Sequence, residues 1–201
     1  MHSDLEVLAD PPAVARAAAA YVADRARAAV ADHGSFHFAV SGGRDPLVDL
    51  VQHDVVPGHV LGEAPADVVA MPVEDDDLDA AAATYAARLP DRLDLVHLGL
   101  GPDGHTASLV PGDPVLEVTD RLVAVTEPYQ AHRRMTLTYP ALAQADQLLW
   151  LVTGADKRDP LRRLLAGDPT IPAGRVAAAR SLVLADAAAG ETTTTDEGTS
   201  A

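Results

Sequence analysis

The chain has 201 residues, with 15 Lys and Arg against 30 Asp and Glu, for a formal net charge of −15. That balance argues against nucleic acid as a partner, because binding to phosphate backbones runs on clustered cations. With 48% hydrophobic residues, 3% aromatic and no cysteine, wholesale disorder, disulfide scaffolds, thiolate metal sites and cysteine nucleophiles are all excluded. The core must be built from Ala, Val and Leu.

Pro12 to Asp32 is Ala-rich, with Val14, Ala18, Tyr21, Val22 and Ala29 on one stripe, and reads as an amphipathic helix stopped by His33-Gly34. Ser35 to Val40 reads as a short strand running into Ser41-Gly42-Gly43, an arrangement that presents backbone N–H groups to an anion. A helical fragment is expected near Leu47–Val51, a loop through Pro57-Gly58, a strand at Val68–Met71 and a helix over Asp75–Leu89. Leu93 to Leu100 is the apolar run of a strand buried in a parallel sheet. It ends in Gly101-Pro102-Asp103-Gly104-His105-Thr106-Ala107-Ser108, and open α/β sheets place ligands in such loops. Beyond it, Leu122–Val125, Met135–Tyr139, Gln147–Thr153 and Ser181–Leu184 read as strands, and Lys157–Leu165 and Ile171–Ala179 as helices. This alternation predicts a single α/β domain over residues 1–186 with a mainly parallel sheet flanked by helices. Residues 187–201 form a Thr-rich acidic tail expected to be disordered.

His105 is the foremost candidate for chemistry. It follows a buried strand, sits near Asp103, and lies between glycines that allow close approach to a ligand; an imidazole's ordinary pKa of about 6.5 suits a general base. Asp103 is placed to orient it, and reads equally well as a turn-forming Asp before Gly. For an anion the candidates are Ser41, Gly42 and Gly43 through backbone amides, with Arg44 adding a fixed charge. Arg134 shares a strand side with Thr136 and Thr138, and Lys157, the only lysine, stands near a helix start where the dipole disfavours a cation. Each of these cations also reads as an ordinary solvated side chain. There is no H-E-x-x-H motif and no cysteine ligand, so neither metal nor cofactor is expected. There is no signal-like N-terminus and no apolar run of roughly 18 residues, which leaves a soluble cytoplasmic protein, without a membrane partner, as the expectation.

Three blocks together resemble the 6-phosphogluconolactonase family. Leu98-Gly99-Leu100-Gly101-Pro102-Asp103-Gly104-His105-Thr106-Ala107-Ser108-Leu109-Val110-Pro111-Gly112 is similar to that family's G-x-G-x-D-G-H-T-A-S-L-F-P-G signature. Arg134-Met135-Thr136-Leu137-Thr138 with Pro140-Ala141-Leu142 resembles a second block, and Leu151 to Lys157 with Gly167-Asp168-Pro169 and Ile171-Pro172-Ala173 a third. The resemblance implies the fold shared with glucosamine-6-phosphate deaminases and ribose-5-phosphate isomerases. It also implies metal-free hydrolysis of 6-phosphoglucono-δ-lactone, a small sugar phosphate, with His105 as general base; separately, a monomer or small homo-oligomer is expected. Ser41, Gly42, Gly43, Arg134 and Lys157 match the family's anion-binding positions. Two departures stand out. The glycine turn continues Arg44-Asp45-Pro46 where the family has S-T-P, and the family's strand ending in Asp-Glu-Arg has no counterpart, as though a few tens of residues had been deleted. A lactonase-like sugar-phosphate-binding protein with little or no turnover is the alternative reading.

Overall fold

A computed structural model describes residues 3–41, 69–128 and 132–191. The first long element, α1 (Pro11–His33), begins where the Asp10 carboxylate accepts the Ala13 N–H at 2.8 Å, with Pro11 and Pro12 filling positions that need no donor. It stops at Gly34, whose φ of +86° is open to glycine and whose N–H closes on the Val30 carbonyl. The strands are β1 (Ser3–Leu8), β2 (Phe38–Val40), β3 (Leu95–Gly99), β6 (Gln147–Val152) and β7 (Arg180–Asp186), which form one sheet in the order β1-β7-β6-β3-β2. Every pairing in it is parallel. Two more strands, β4 (Val123–Val125) and β5 (Met135–Leu137), pair antiparallel beside it.

Strand alternation divides the core into two layers. Leu95, Leu149, Leu151 and Leu184 face one way and receive Val14, Ala18 and Val22 of α1. Val96, Leu98, Leu148, Trp150, Val152 and Val183 face the other way. They meet α2 (Leu78–Ala86), α3 (Tyr139–Ala143), α4 (Arg158–Leu165) and the loop around Ile171. Complete burial of each such Val or Leu contributes roughly 1.5–3 kcal/mol, so the central strands are pinned on both faces. Trp150, fully buried, satisfies its indole N–H on the Ser181 hydroxyl at 3.1 Å.

Several sequence expectations need correction. Ser3–Leu8 was not expected as a strand; its alternating acids belong to an edge, with Leu5 and Val7 exposed, and its pairing with β7 supplies what its own pattern lacks. No strand forms at 69–71, and the helix expected over Asp75–Leu89 is shorter. The strand expected over Ser35–Val40 is confined to β2, and the one over Met135–Tyr139 ends at Leu137, after which Tyr139 opens α3. In place of a helix over Ile171–Ala179 there is one 3-10 turn, Ala173–Arg175. Gly174 explains it, since a Cβ there would lie 2.0 Å from the Asp168 carbonyl oxygen. This is a close backbone crossing and not a helix. The packed chain also runs past 186 through a short helix, α5 (Ala187–Gly190), with Ala189 only 2% exposed. The tail expectation for 192–201 lies outside the described residues, as do those for Leu47–Val51 and Pro57-Gly58.

Candidate active site

Because β2, β3 and β6 are neighbours and parallel, the segments leaving their carboxyl ends emerge side by side. Ser41 follows β2 and donates its N–H to the His97 carbonyl at 3.2 Å. The Gly101–Ser108 loop follows β3, and the turn Ala155–Lys157 follows β6. Gly42, Gly43 and Arg44 lie outside the described residues.

The loop after β3 is folded around His105. Gly101 donates to the His105 carbonyl at 2.8 Å and Gly104 to the Gly101 carbonyl at 3.0 Å. The ring packs close against Gly101, where a Cβ would come within 2.1 Å of Nδ1. Gly104 holds a φ of +82° and abuts Ile171, whose Cβ would be 2.5 Å from any added carbon. Ala107 adopts a φ of +49°, a conformation that L residues take at a cost of order 1–3 kcal/mol. Its neighbours fix it, since Leu109 donates to the Thr106 carbonyl and the Ser108 N–H donates to the Thr136 hydroxyl at 3.2 Å. That last bond ties the loop to β5.

His105 Nδ1 and the Asp103 carboxylate are 2.5 Å apart, and the same oxygen accepts the His105 backbone N–H at 3.1 Å. Burial alone would raise the Asp103 carboxyl. The His105 backbone and ring outweigh it and hold the group below its ordinary value. An ionised Asp103 on Nδ1 assigns the neutral ring's proton to Nδ1 and points Nε2 away as an acceptor.

Arg134 stands one residue before β5, its N–H donating to the Thr126 hydroxyl at 3.1 Å and its carbonyl accepting from Thr126. It is half-buried and two positions from the Thr136 that holds the His105 loop. Lys157 ends the turn before α4, with its ammonium 3.1 Å from the Asp156 carboxylate and its side chain 19% exposed. The structure therefore puts Ser41, Asp103, His105, Arg134 and Lys157 on segments at one end of the molecule, the carboxyl edge.

Two residues to which the sequence assigns no role brace this edge. Asp186 at the end of β7 is buried and accepts the Gly154 N–H through both oxygens, at 3.0 and 3.1 Å, and the Ala189 N–H at 2.8 Å. It fixes the bend that leads to Lys157, where Gly154 has a φ of +101°. An Asp before three alanines at a strand end is a capping signal that could have marked it. The second is Asp168, whose carboxylate is held far below its usual range by the Thr170 hydroxyl, then by Arg163. It shapes the loop whose Ala173 N–H donates to the Gly104 carbonyl at 2.9 Å. Tyr139 seals the same loop through its hydroxyl on the Pro172 carbonyl at 3.0 Å, and burial pushes its phenol up to about 12.

The fold and these residues define an α/β domain of the open parallel-sheet class, with the candidate residues on segments at the carboxyl edge. The family described as glucosamine-6-phosphate isomerases/6-phosphogluconolactonase matches residues 49–184. The 6-phosphogluconolactonase of Pseudomonas putida is 33% identical over 200 positions, covering 80% of this chain and 83% of that one. The enzyme of the same name from Chlamydia muridarum is 47% identical over 92 positions, a match spanning only 36% of its length. Among solved structures, the 6-phosphogluconolactonase of Leishmania guyanensis superposes with a TM-score of 0.76 at 22% identity, over 96% of this chain and 99% of that one. The chain belongs to the glucosamine-6-phosphate isomerase/6-phosphogluconolactonase family. Among the described residues no helix is long and apolar enough to cross a membrane.

Proposed function

We propose that this protein hydrolyses 6-phospho-D-glucono-1,5-lactone to 6-phospho-D-gluconate, with His105 as general base. The observation that carries the reading is the Asp103–His105 pair, its ring laid on Gly101 at the carboxyl end of β3. The names of the relatives supply the substrate.

In this reading Nε2 of His105 takes a proton from water as its oxygen attacks the lactone carbonyl carbon. The tetrahedral intermediate then collapses, the ring C–O bond breaks, and the imidazolium returns its proton to the departing alkoxide. Asp103 holds the tautomer and stabilises the imidazolium. A δ-lactone is an activated ester, so the step needs no metal in this proposal, and chelator treatment should leave the rate unchanged.

The substrate's remote phosphate must be gripped against the field of a chain of charge −15. Arg134 and Lys157 are assigned that task, with Ser41 and the residues after it completing the cradle; each charge-assisted bond contributes on the order of 1.5–3 kcal/mol. Hydrolysis adds a carboxylate charge to the bound species, and the acidic surroundings favour release. We also infer that the chain is shortened between β2 and α2 relative to its relatives. The 200-position match to the Pseudomonas enzyme uses only 80% of these 201 residues, and all three blocks beyond residue 98 are intact. A cytoplasmic location fits a sugar-phosphate substrate.

The test is hydrolysis of freshly generated 6-phosphoglucono-δ-lactone, measured against its spontaneous background. Acceleration by the wild type and its loss in His105→Ala support the assignment. Binding of 6-phosphogluconate without acceleration overturns it in favour of a sugar-phosphate-binding protein.

A further inference from the structure

At the opposite end of the sheet lies a cleft of about 220 Å³. Its walls are the carboxyl-terminal part of α1 and the starts of β3, β6 and β7, and it includes Arg25, Arg92 and Arg180. His33, Asp32, Asp94 and Asp146 complete its charged lining.

The carboxylates and cations here are unevenly matched. Asp94, 9% exposed, is fully engaged, accepting His33 Nε2 at 2.9 Å and the His37 backbone N–H at 2.7 Å. Asp146 is taken by Arg92 at 3.2 Å, and Asp32 is solvent-exposed. Arg25 and Arg180 hold no carboxylate among the described residues. The chain has twice as many acids as bases, and eight other arginines each hold one. Moreover, Arg25 Nε is buried without a hydrogen-bond partner, and a buried donor of that kind calls for an acceptor. Both guanidinium groups are felt by one phenol. Arg25 lies 5.7 Å over the Tyr21 ring, and Arg25 and Arg180 both act on its hydroxyl, partly offsetting the rise that burial causes.

We propose that this cleft is a second anion site, holding a small oxyanion of the phosphate or carboxylate type between Arg25 and Arg180. Planar guanidinium forks suit such groups. The volume lies below the about 300–1,000 Å³ of pockets for drug-sized ligands, which limits the occupant to a single oxyanion head with its bridging waters. The two guanidiniums come from α1 and from the start of β7, so an occupant ties the helix to the sheet's amino edge.

The experiment is a titration of the full chain with sodium phosphate, and separately with sodium acetate, at constant ionic strength set with chloride. The Nε–Hε resonances of the arginines are followed by NMR. Saturable movement of the Arg25 and Arg180 signals is expected. Movement with phosphate alone assigns a phosphate-type site, and movement with both assigns a general oxyanion site. Arg180 is exposed, so Arg180→Gln leaves the fold intact and should weaken binding about tenfold or more; Arg25→Gln should do the same, and Lys157→Ala should leave it unchanged. Absence of saturable movement in both titrations, movement confined to arginines of the carboxyl edge, or undiminished affinity in Arg180→Gln would overturn the proposal.

Discussion

The two ends of the same sheet carry charge in opposite ways. At the carboxyl edge the polar groups sit on glycine-punctuated loops, and a short stretch, Gly101 to Ser108, builds most of the geometry around one imidazole. At the amino edge the charges sit at strand starts and on α1, and side chains far apart in sequence converge, as His33 and Asp94 do at 2.9 Å. The contrast teaches where each kind of chemistry can live. Loops after parallel strands can bend backbone N–H groups and small residues around a reacting ligand. Strand starts locked in register offer fixed side chains, suited to holding an ion and unsuited to moving a proton.

The sharpest way to break the comparison is at His105. His105→Ala should cut kcat for lactone hydrolysis by about 10²–10⁴-fold, whereas Arg180→Gln at the other edge should leave the rate in phosphate-free buffer unchanged. Gly101→Ala comes next. Its new Cβ would lie 2.1 Å from Nδ1, so the ring must move off Asp103; displacements near 1 Å cost about 10²-fold, and a thermal melt should show the fold retained. Lys157→Ala should act mainly on KM, raising it about tenfold or more while kcat changes little.

Two smaller effects separate stability from catalysis. The Tyr139 phenol titrates higher in the fold than its ordinary 10.0, at about 12. Its contribution is therefore complete below pH 10 and is lost as pH climbs toward 12. Melting temperatures of Tyr139→Phe and wild type should converge over that interval. The Asp168 carboxyl is shifted the other way from 3.8, so its contribution is present above that pH and fades below it. Asp168→Asn should have a lower Tm at neutral pH and lose that deficit in acid.

How legible the molecule was varied with how local its determinants are. The α1 helix could be read from Asp10-Pro11-Pro12, a stripe of small apolar residues and Gly34, and the structure agrees within a residue at each end. The run Leu93–Leu100 announced a buried parallel strand because both faces are apolar, and Gln147–Thr153 announced a strand. β1 was illegible for the opposite reason: an acidic edge strand has no pattern of its own and exists through its pairing with β7. The Ile171–Ala179 segment misled because apolar spacing suggested a helix while the crossing of Gly174 over Asp168 forbids one.

The site divides along the same line. The amino-acid sequence by itself determined the contents of the loop after β3, since the glycines, Asp103 and His105 lie within a few residues and their mutual contacts are short-range. It also determined the parallel α/β class, through strand runs apolar on both faces separated by helical stretches. Only the tertiary structure decided that Thr136 would hold Ser108, that Asp186 would hold Gly154, and that Arg25 and Arg180 would line one cleft. Those partners are 28, 32 and 155 residues apart. What brings them together is strand order and register, set by burial of the two apolar layers and written in no single segment.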